Sequence, residues 1–264
     1  MNIVDRMRQG EKIIIGMVHC RALPGTQHYN GDMGAIIAAA VADAIALEQG
    51  GVDAVMVENS FDSPSAETLD TAQVAALAAI AREVRNSISL PLGVDAAFND
   101  YKAGLAICVA CGGSFIRCPV FVDTVVSGVG ILSPCNRQAT LYRKWLAAGS
   151  VAILADIQVK HAYMLQPEIP IEESAAWAVA RGADAVIVTG ASTGQQTPKE
   201  QLTRVKDAVS VPVVAGSGVD DETAAEQLAV AHGAIVGSFF MGGGYFENPV
   251  DMGRVKCLMR KVKN

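Results

Sequence analysis

Two kinds of segment take turns along this chain. Short runs rich in Val, Ile and Leu are followed by longer stretches in which apolar residues return every third or fourth position. The runs are "KIIIGMVH" (12–19), "DAVMVEN" (53–59), "LPLGVDA" (90–96), "SFIRCPV" (114–120), "VAILADIQ" (151–158), "DAVIVTG" (184–190), "VPVVAGS" (211–217) and "AIVGS" (234–238). Near-continuous apolar character over so few residues predicts strands buried on both faces. Between them, the Ala-rich stretches 35–49 and 67–85 carry the helical period, and Asp220 stands where it would cap a helix in "DETAAEQLAVAHG". Helices are expected to close on a left-handed Gly just before the next strand in "EQGGVDAV", "ACGGSFI", "ARGADAV" and "AHGAIVG".

Strict alternation of strand and helix predicts parallel strands joined by helical crossovers. Eight such units in 264 residues predict an α/β fold, a single (β/α)8 TIM barrel with residues 1–264 as one domain. An open doubly wound sheet is the competing arrangement, and it would bring ligands to a switch-point crevice instead.

Composition narrows the setting. Hydrophobic residues make up 51% of the chain and charged residues 18%, which suits strands covered on both sides. Apolar windows break at Gly, Asp or Arg well short of the roughly 20 residues that a bilayer span needs. No apolar stretch of the signal-peptide kind follows "MNIVDRMRQGEK". A cytoplasmic protein without a transmembrane segment is therefore expected. The net charge is −6, and the densest basic run is the terminal "RKVKN". That leaves no stripe to neutralise nucleic-acid phosphates, and the run itself reads as a final helical turn facing the negative dipole end. Six cysteines include Cys108 and Cys111 as a CxxC, without a second pair or a His at zinc-finger spacing. They are read as reduced thiols packed as small core residues.

A barrel gathers its working groups at the C-terminal ends of its strands. The last two runs end in Gly216-Ser217-Gly218 and Gly237-Ser238, and the sixth is followed by Gly190, Ser192, Thr193 and Gly194. Giving up side chains at neighbouring strand ends lets backbone N–H groups approach an anion. Gly190, Thr193, Gly194, Gly216, Ser217, Gly218, Gly237 and Ser238 are therefore read as a phosphate site, against the alternative that the glycines only make tight turns. The other strand ends carry His19, Glu58, Asp95, Arg117 and Asp156, with Lys160 and His161 just beyond.

Carboxylates beside His or Lys are the materials of general acid–base catalysis, and a desolvated Lys can add to a carbonyl. Asp156, Glu58, Asp95, His19, Lys160 and Arg117 form the candidate catalytic set. Asp156 and Glu58 lead it, because a carboxylate at a buried strand end is costly without a partner or a purpose. Arg117 could equally pair with a neighbouring carboxylate. Glu58, Asp95 and Asp156 could hold a divalent metal, although strand-end carboxylates alone do not select one. No other cofactor is indicated.

Several stretches together resemble one family: "GMVHCRALPG", "GVDAVMVEN", "ADIQVKHA", "DAVIVTGASTG", "VVAGSGV" and "NPVDMGRV". In this order, over residues 16–255, they resemble the BtpA family, which includes SgcQ-type proteins. The resemblance implies a TIM barrel of the ribulose-phosphate-binding type. It also implies either a role in photosystem I biogenesis or a place in carbohydrate metabolism. The chain departs from the family's wording in three places. Asp95 in "GVDAAFND" stands where the family more often has Asn, "FFMGGGYF" lacks the Lys that the family often carries beside its last Gly turn, and "CPVFVDTVVSGVG" diverges. The expected function is an enzyme acting on a small phosphorylated sugar or related metabolite, by isomerase, aldolase or lyase, or glycosidic-bond chemistry. The alternatives are a non-catalytic assembly or stability factor of the photosystem I type, or a metabolite-sensing binding protein. A homo-oligomer is compatible with the apolar composition.

Overall fold

The computed structural model describes residues 2–190 and 195–263. Eight parallel strands close into a barrel in chain order. They are Ile13–His19, Ala54–Glu58, Leu92–Asp95, Phe115–Cys118, Ala152–Ile157, Ala185–Val188, Val213–Ala215 and Gly233–Val236, and the last pairs with the first.

Alternation along each strand sends one set of side chains into the barrel and the next outward. Ile13, Ile15, Met17, Met56, Phe115, Leu154, Ile187 and Ile235 fill the interior. Their outward neighbours Ile14, Val18, Val55, Val94, Ile116 and Ile153 join the helices in a second core layer. This double burial explains why the runs read as continuously apolar.

The helix Thr71–Ser87 shows how local chemistry sets an element's start. Asp70 accepts from the amides of Ala72 and Gln73, and Gln73 returns a bond to the Asp70 amide. Such a capping box stabilises by about 1 kcal/mol. Just upstream, the Leu69 amide is drawn to Asp100 Oδ2 at 3.0 Å, so the helix begins later than the sequence period suggested. Its apolar stripe Leu77, Ile80, Ala81 and Val84 is fully buried.

Gly51, Gly112 and Gly182 adopt the expected left-handed closures, with φ of 95°, 76° and 94°. Gly233 does not. It opens the last strand, where a Cβ would lie 2.5 Å from the carbonyl oxygen of Ile13. Asp220 caps a turn, accepting from the amides of Glu222 and Thr223, ahead of the helix Ala224–Val230.

The helix Ile3–Arg8 buries Ile3, Val4 and Met7 in the same cluster as the barrel interior, plugging the N-terminal end. At that end Asp53 accepts from the Ile14 amide at 2.9 Å and Asp184 from the Ile153 amide at 2.8 Å. The repeated "DAV" word is thus a device for tying neighbouring strands.

Among the described residues one helix, Met33–Gly50, is long and apolar enough to cross a bilayer by length and composition, which the sequence windows had not suggested. It lies in the barrel's helical ring against Thr71–Ser87 and Met252–Lys263. There Asp43 accepts from the Val250 amide at 2.8 Å.

One element was not foreseen. Val125–Ser127, Gly130–Leu132 and Ala162–Met164 form a small antiparallel sheet beyond the fourth and fifth barrel strands. The divergent segment after Arg117 therefore forms part of this sheet and packs Val125 and Leu132 against Val120 and Val159. All six cysteines are free thiols, five of them buried.

Candidate active site

Inward alternation decides what lines the mouth. After Met17, Met56, Phe115 and Leu154, the next inward positions are His19, Glu58, Arg117 and Asp156, and Asp95 takes the equivalent place on the third strand. Strands seven and eight bring Gly216 and Gly237 to the same level. One half of the rim is thus ionisable and the other half is bare backbone. A cavity of about 350 Å3 joins the two, lined by His19, Glu58, Arg117 and Lys160 on one side and Gly216–Gly218, Gly237 and Ser238 on the other.

Arg117 organises the floor. Its Nε donates to Asp156 Oδ2 and its Nη2 to Asp156 Oδ1, both at 2.8 Å, while Nη1 reaches Asp95 Oδ2 at 3.4 Å. Asp156 is fully buried and does not line the cavity, nor does Asp95. Asp156, expected to lead the catalytic set, has both of its oxygens engaged by Arg117. The proposed metal set fails for the same reason, since Arg117 sits between two of its three carboxylates. Among the described residues no group of three metal-binding side chains converges elsewhere. Burial, and secondarily the charge of Glu58, pushes the Asp95 carboxyl well above the usual carboxylate range.

His19 Nε2 lies 3.8 Å from Glu58 Oε2, and the Phe246 ring covers the imidazole at 4.2 Å. Burial lowers the His19 pKa against the opposing pull of Glu58. Asp95 Oδ1 and His19 Nδ1 are buried without a hydrogen-bond partner among the described residues. Such orphaned atoms are uncommon in native interiors; Gln227 Oε1, outside the cavity, is the third among the described residues.

Lys160 lines the cavity from the loop after the fifth strand, and that loop is braced. The Lys160 amide donates to Thr189 Oγ1 at 2.9 Å. The Gln158 amide donates to Asp123 Oδ2 at 2.7 Å, and the Ser174 hydroxyl donates to Asp123 Oδ1 at 2.7 Å. Gln158 and His161 take left-handed φ values of 48° and 63°, a strain that non-glycine residues bear only where the surroundings enforce it. Burial, then Arg117, lowers the Lys160 pKa to about 8, against the opposing charges of Asp156, Glu58 and Asp95.

On the bare side the glycines divide by role. A Cβ on Gly190 would lie 2.5 Å from the Gln195 carbonyl oxygen, one on Gly216 would lie 2.5 Å from Ile187 Cγ2, and one on Gly218 would lie 2.2 Å from the Gln196 amide. Gly190 and Gly218 let neighbouring loops touch, and Gly216 lets its strand end pack against the side chains of Ile187 and Thr189. The Gly190 amide is spent on Ser217 Oγ, and the Gly216 amide on the Val188 carbonyl, so neither can serve an anion. The Ser217 hydroxyl is spent as well, donating to the Gln195 carbonyl. The amides of Ser217, Gly218, Gly237 and Ser238 carry no hydrogen bond to a described residue. Thr223 and Gln227 hold the Gly218 carbonyl at 2.9 and 2.8 Å, on the side of the following helix. Thr193 and Gly194, with Ser192, lie outside the described residues.

Two residues escaped the sequence reading. Phe246 is a lone aromatic in a loop and gave no signal. Arg254 lies inside the "NPVDMGRV" stretch that carried the family resemblance, yet no role was read from it. Its Nε donates to the Phe239 carbonyl at 2.6 Å and its guanidinium lies over the Phe239 ring at 4.5 Å, beside the free amides. The C-terminal helix thus brings a guanidinium to this side of the cavity. By contrast Asn59, Asn99 and Asp100 are structural. They bind the backbone of Ala97, Val120 and Ala103 respectively.

An uncharacterised protein of Archaeoglobus fulgidus is 39% identical over 253 residues, covering 96% of this chain and 99% of that one. Photosystem I biogenesis protein BtpA of Synechocystis is 33% identical over 252 residues, covering 94% of this chain and 87% of that one. Among solved structures, GGGPS from Thermoplasma volcanium superposes with a TM-score of 0.65 at 17% identity, covering 100% of this chain and 98% of that one. (S)-3-O-geranylgeranylglyceryl phosphate synthase from Thermoplasma acidophilum, in complex with its substrate sn-glycerol-1-phosphate, gives 0.63 at 17% identity, covering 100% and 99%. Those structures share the TIM-barrel fold with this chain. The BtpA family model matches residues 10–264, and the chain belongs to the BtpA family.

Proposed function

We propose that this chain is an enzyme that anchors a small phosphorylated metabolite at the bare side of the barrel mouth and transforms it at the ionisable side. The observation that carries this reading is the shared cavity. Uncommitted amides of Ser217, Gly218, Gly237 and Ser238, with Arg254, face Glu58, His19, Lys160 and Arg117 across it. Oriented amides and a guanidinium favour a phosphate dianion, and the opposite wall supplies groups able to accept or deliver a proton. Arg117, held by Asp156, offers fixed positive charge for an oxyanion that develops during reaction. Fold neighbours whose names include phosphorylated substrates support the same reading by analogy.

A thermal-shift titration with inorganic phosphate and sn-glycerol-1-phosphate tests it. At 100-fold the dissociation constant a ligand stabilises the native state by about 2.7 kcal/mol. Absence of a shift with both compounds at millimolar concentration would overturn the anion site.

A second reading, a non-catalytic assembly factor, is supported by the name of the Synechocystis relative. Turnover of a phosphorylated compound that is lost in Glu58→Gln while phosphate still binds would exclude it.

A further inference from the structure

Lys160 is the cavity residue that the acid–base reading leaves least explained. A lysine near a surface ordinarily threads its ammonium into water. This one is turned into the mouth, and its Nζ makes no hydrogen bond or ion pair with a described residue. The charges facing it come from several strands: Glu58, Asp95, Arg117 and Asp156, with His19 and His161 beside them. The nearby carboxylates do not capture it, because Asp156 is held in two prongs by Arg117 and Asp95 leans on the same guanidinium. Nor is it needed to hold the anion, which has the free amides and Arg254. The loop is strained and braced so that the amine is presented without being paired.

We infer that Lys160 is a nucleophile: its Nζ adds to the carbonyl carbon of a small phosphorylated aldehyde or ketone held in the cavity and forms an iminium. This rests on the anion-anchored cavity proposed above. The Lys160 ammonium first gives one proton to the Glu58 carboxylate. The freed lone pair then forms the N–C bond, and the carbonyl π pair moves to oxygen. One N–H proton passes to that oxygen, giving the carbinolamine. Glu58 returns its proton to the hydroxyl, the C–O bond breaks, and water leaves while the nitrogen pair forms C=N. The balance is ammonium plus carbonyl giving iminium plus water, with no outside oxidant or reductant. The greater acidity that burial gives the ammonium assists the first step, and the iminium then withdraws electrons from the adjacent carbon, as aldol cleavage or enolisation requires.

The test is reductive trapping on the full chain. Protein is mixed with D-glyceraldehyde 3-phosphate and sodium cyanoborohydride, and adduct at each lysine is quantified by peptide mass spectrometry at short times. The expected result is labelling of Lys160 at least tenfold faster than of any surface lysine, suppressed by excess inorganic phosphate. Labelling at surface-lysine rates would overturn the inference, even if the aldehyde phosphate still shifts the melting temperature, in which case the anion site stands alone. Fast labelling of Lys160 that is equal with unphosphorylated glyceraldehyde and insensitive to phosphate would uphold the nucleophile and overturn the anion reading. Because the readout is taken on the unmodified protein, it does not depend on a variant folding. Lys160→Arg, which keeps the charge, should fold and remove the fast adduct.

Discussion

Arg117 grips Asp156 through two parallel hydrogen bonds of 2.8 Å, Nε to Oδ2 and Nη2 to Oδ1, in a place where Asp156 has no exposed surface. This pairing turns a strand-end carboxylate into the support of a strand-end cation, and it fixes what several substitutions should do.

Asp156→Asn keeps the shape but leaves the buried guanidinium short of one charge. Breaking a buried ion pair from one side costs about 3–5 kcal/mol, and retention of one amide acceptor places the expected loss at about 3 kcal/mol. Urea unfolding should show a lower midpoint with an unchanged slope. A midpoint shift worth less than about 0.5 kcal/mol, the ordinary scatter of surface changes, would mean that the pair contributes little.

Arg254→Met should separate anion binding from folding. The methionine keeps much of the packing over Phe239, while the charge-assisted bonds to a phosphate are lost, each worth about 1.5–3 kcal/mol. Calorimetric titration with inorganic phosphate should therefore weaken by tenfold or more at nearly constant melting temperature. Equal affinity in both proteins would remove Arg254 from the site.

The two glycine rims predict a ranking. In Gly237→Ala the new Cβ lies 3.0 Å from His19 Cε1 and 3.2 Å from Nε2, so a side chain must yield, at about 1–3 kcal/mol. In Gly218→Ala it lies 2.2 Å from the Gln196 amide at a φ of +61°, so backbone would have to move. Gly218→Ala should be the more damaging to stability, while Gly237→Ala should fold and displace the His19 imidazole resonances in NMR spectra. The reverse order would show that the loops are not packed as described.

Lys160 ties pH to stability. Its pKa falls from the ordinary 10.5 to about 8 on folding, so between those values the unfolded chain binds more protons than the native one. Stability therefore rises with pH across this window, and the cost of the buried ammonium is fully present below pH 8. It amounts to about 3 kcal/mol. Lys160→Met should then be more stable than the parent at pH 7 by up to about 3 kcal/mol, with the advantage fading toward pH 10.5. A pH-independent difference would place the ammonium in water.

The barrel and the two halves of its mouth were legible because both depend on period and position. Alternation fixes that His19, Glu58, Asp95, Arg117 and Asp156 point inward at one level, and strand order fixes that Gly216 and Gly237 face them. What alternation cannot tell is which inward group neutralises which, so Asp156 read as a reagent when it is Arg117's partner. Nor does a glycine declare whether it makes room for a ligand or for another loop. Gly190 and Gly218 look alike in sequence, yet of the two only the Gly218 amide carries no hydrogen bond to a described residue. Arg254 was hidden for a different reason. It reaches the rim from the C-terminal helix, and no strand-end rule points there. The small sheet beyond the fourth strand escaped because its strands are too short to show a period.

The helix Ile3–Arg8 stoppers the far end of the barrel with Ile3, Val4 and Met7. With the interior itself filled by side chains such as Met56 and Phe115, traffic through this molecule is one-ended: whatever arrives at the mouth must back out by the same doorway. A reaction that splits its substrate would therefore release its fragments in sequence, the unanchored piece first and the phosphate-bearing piece last.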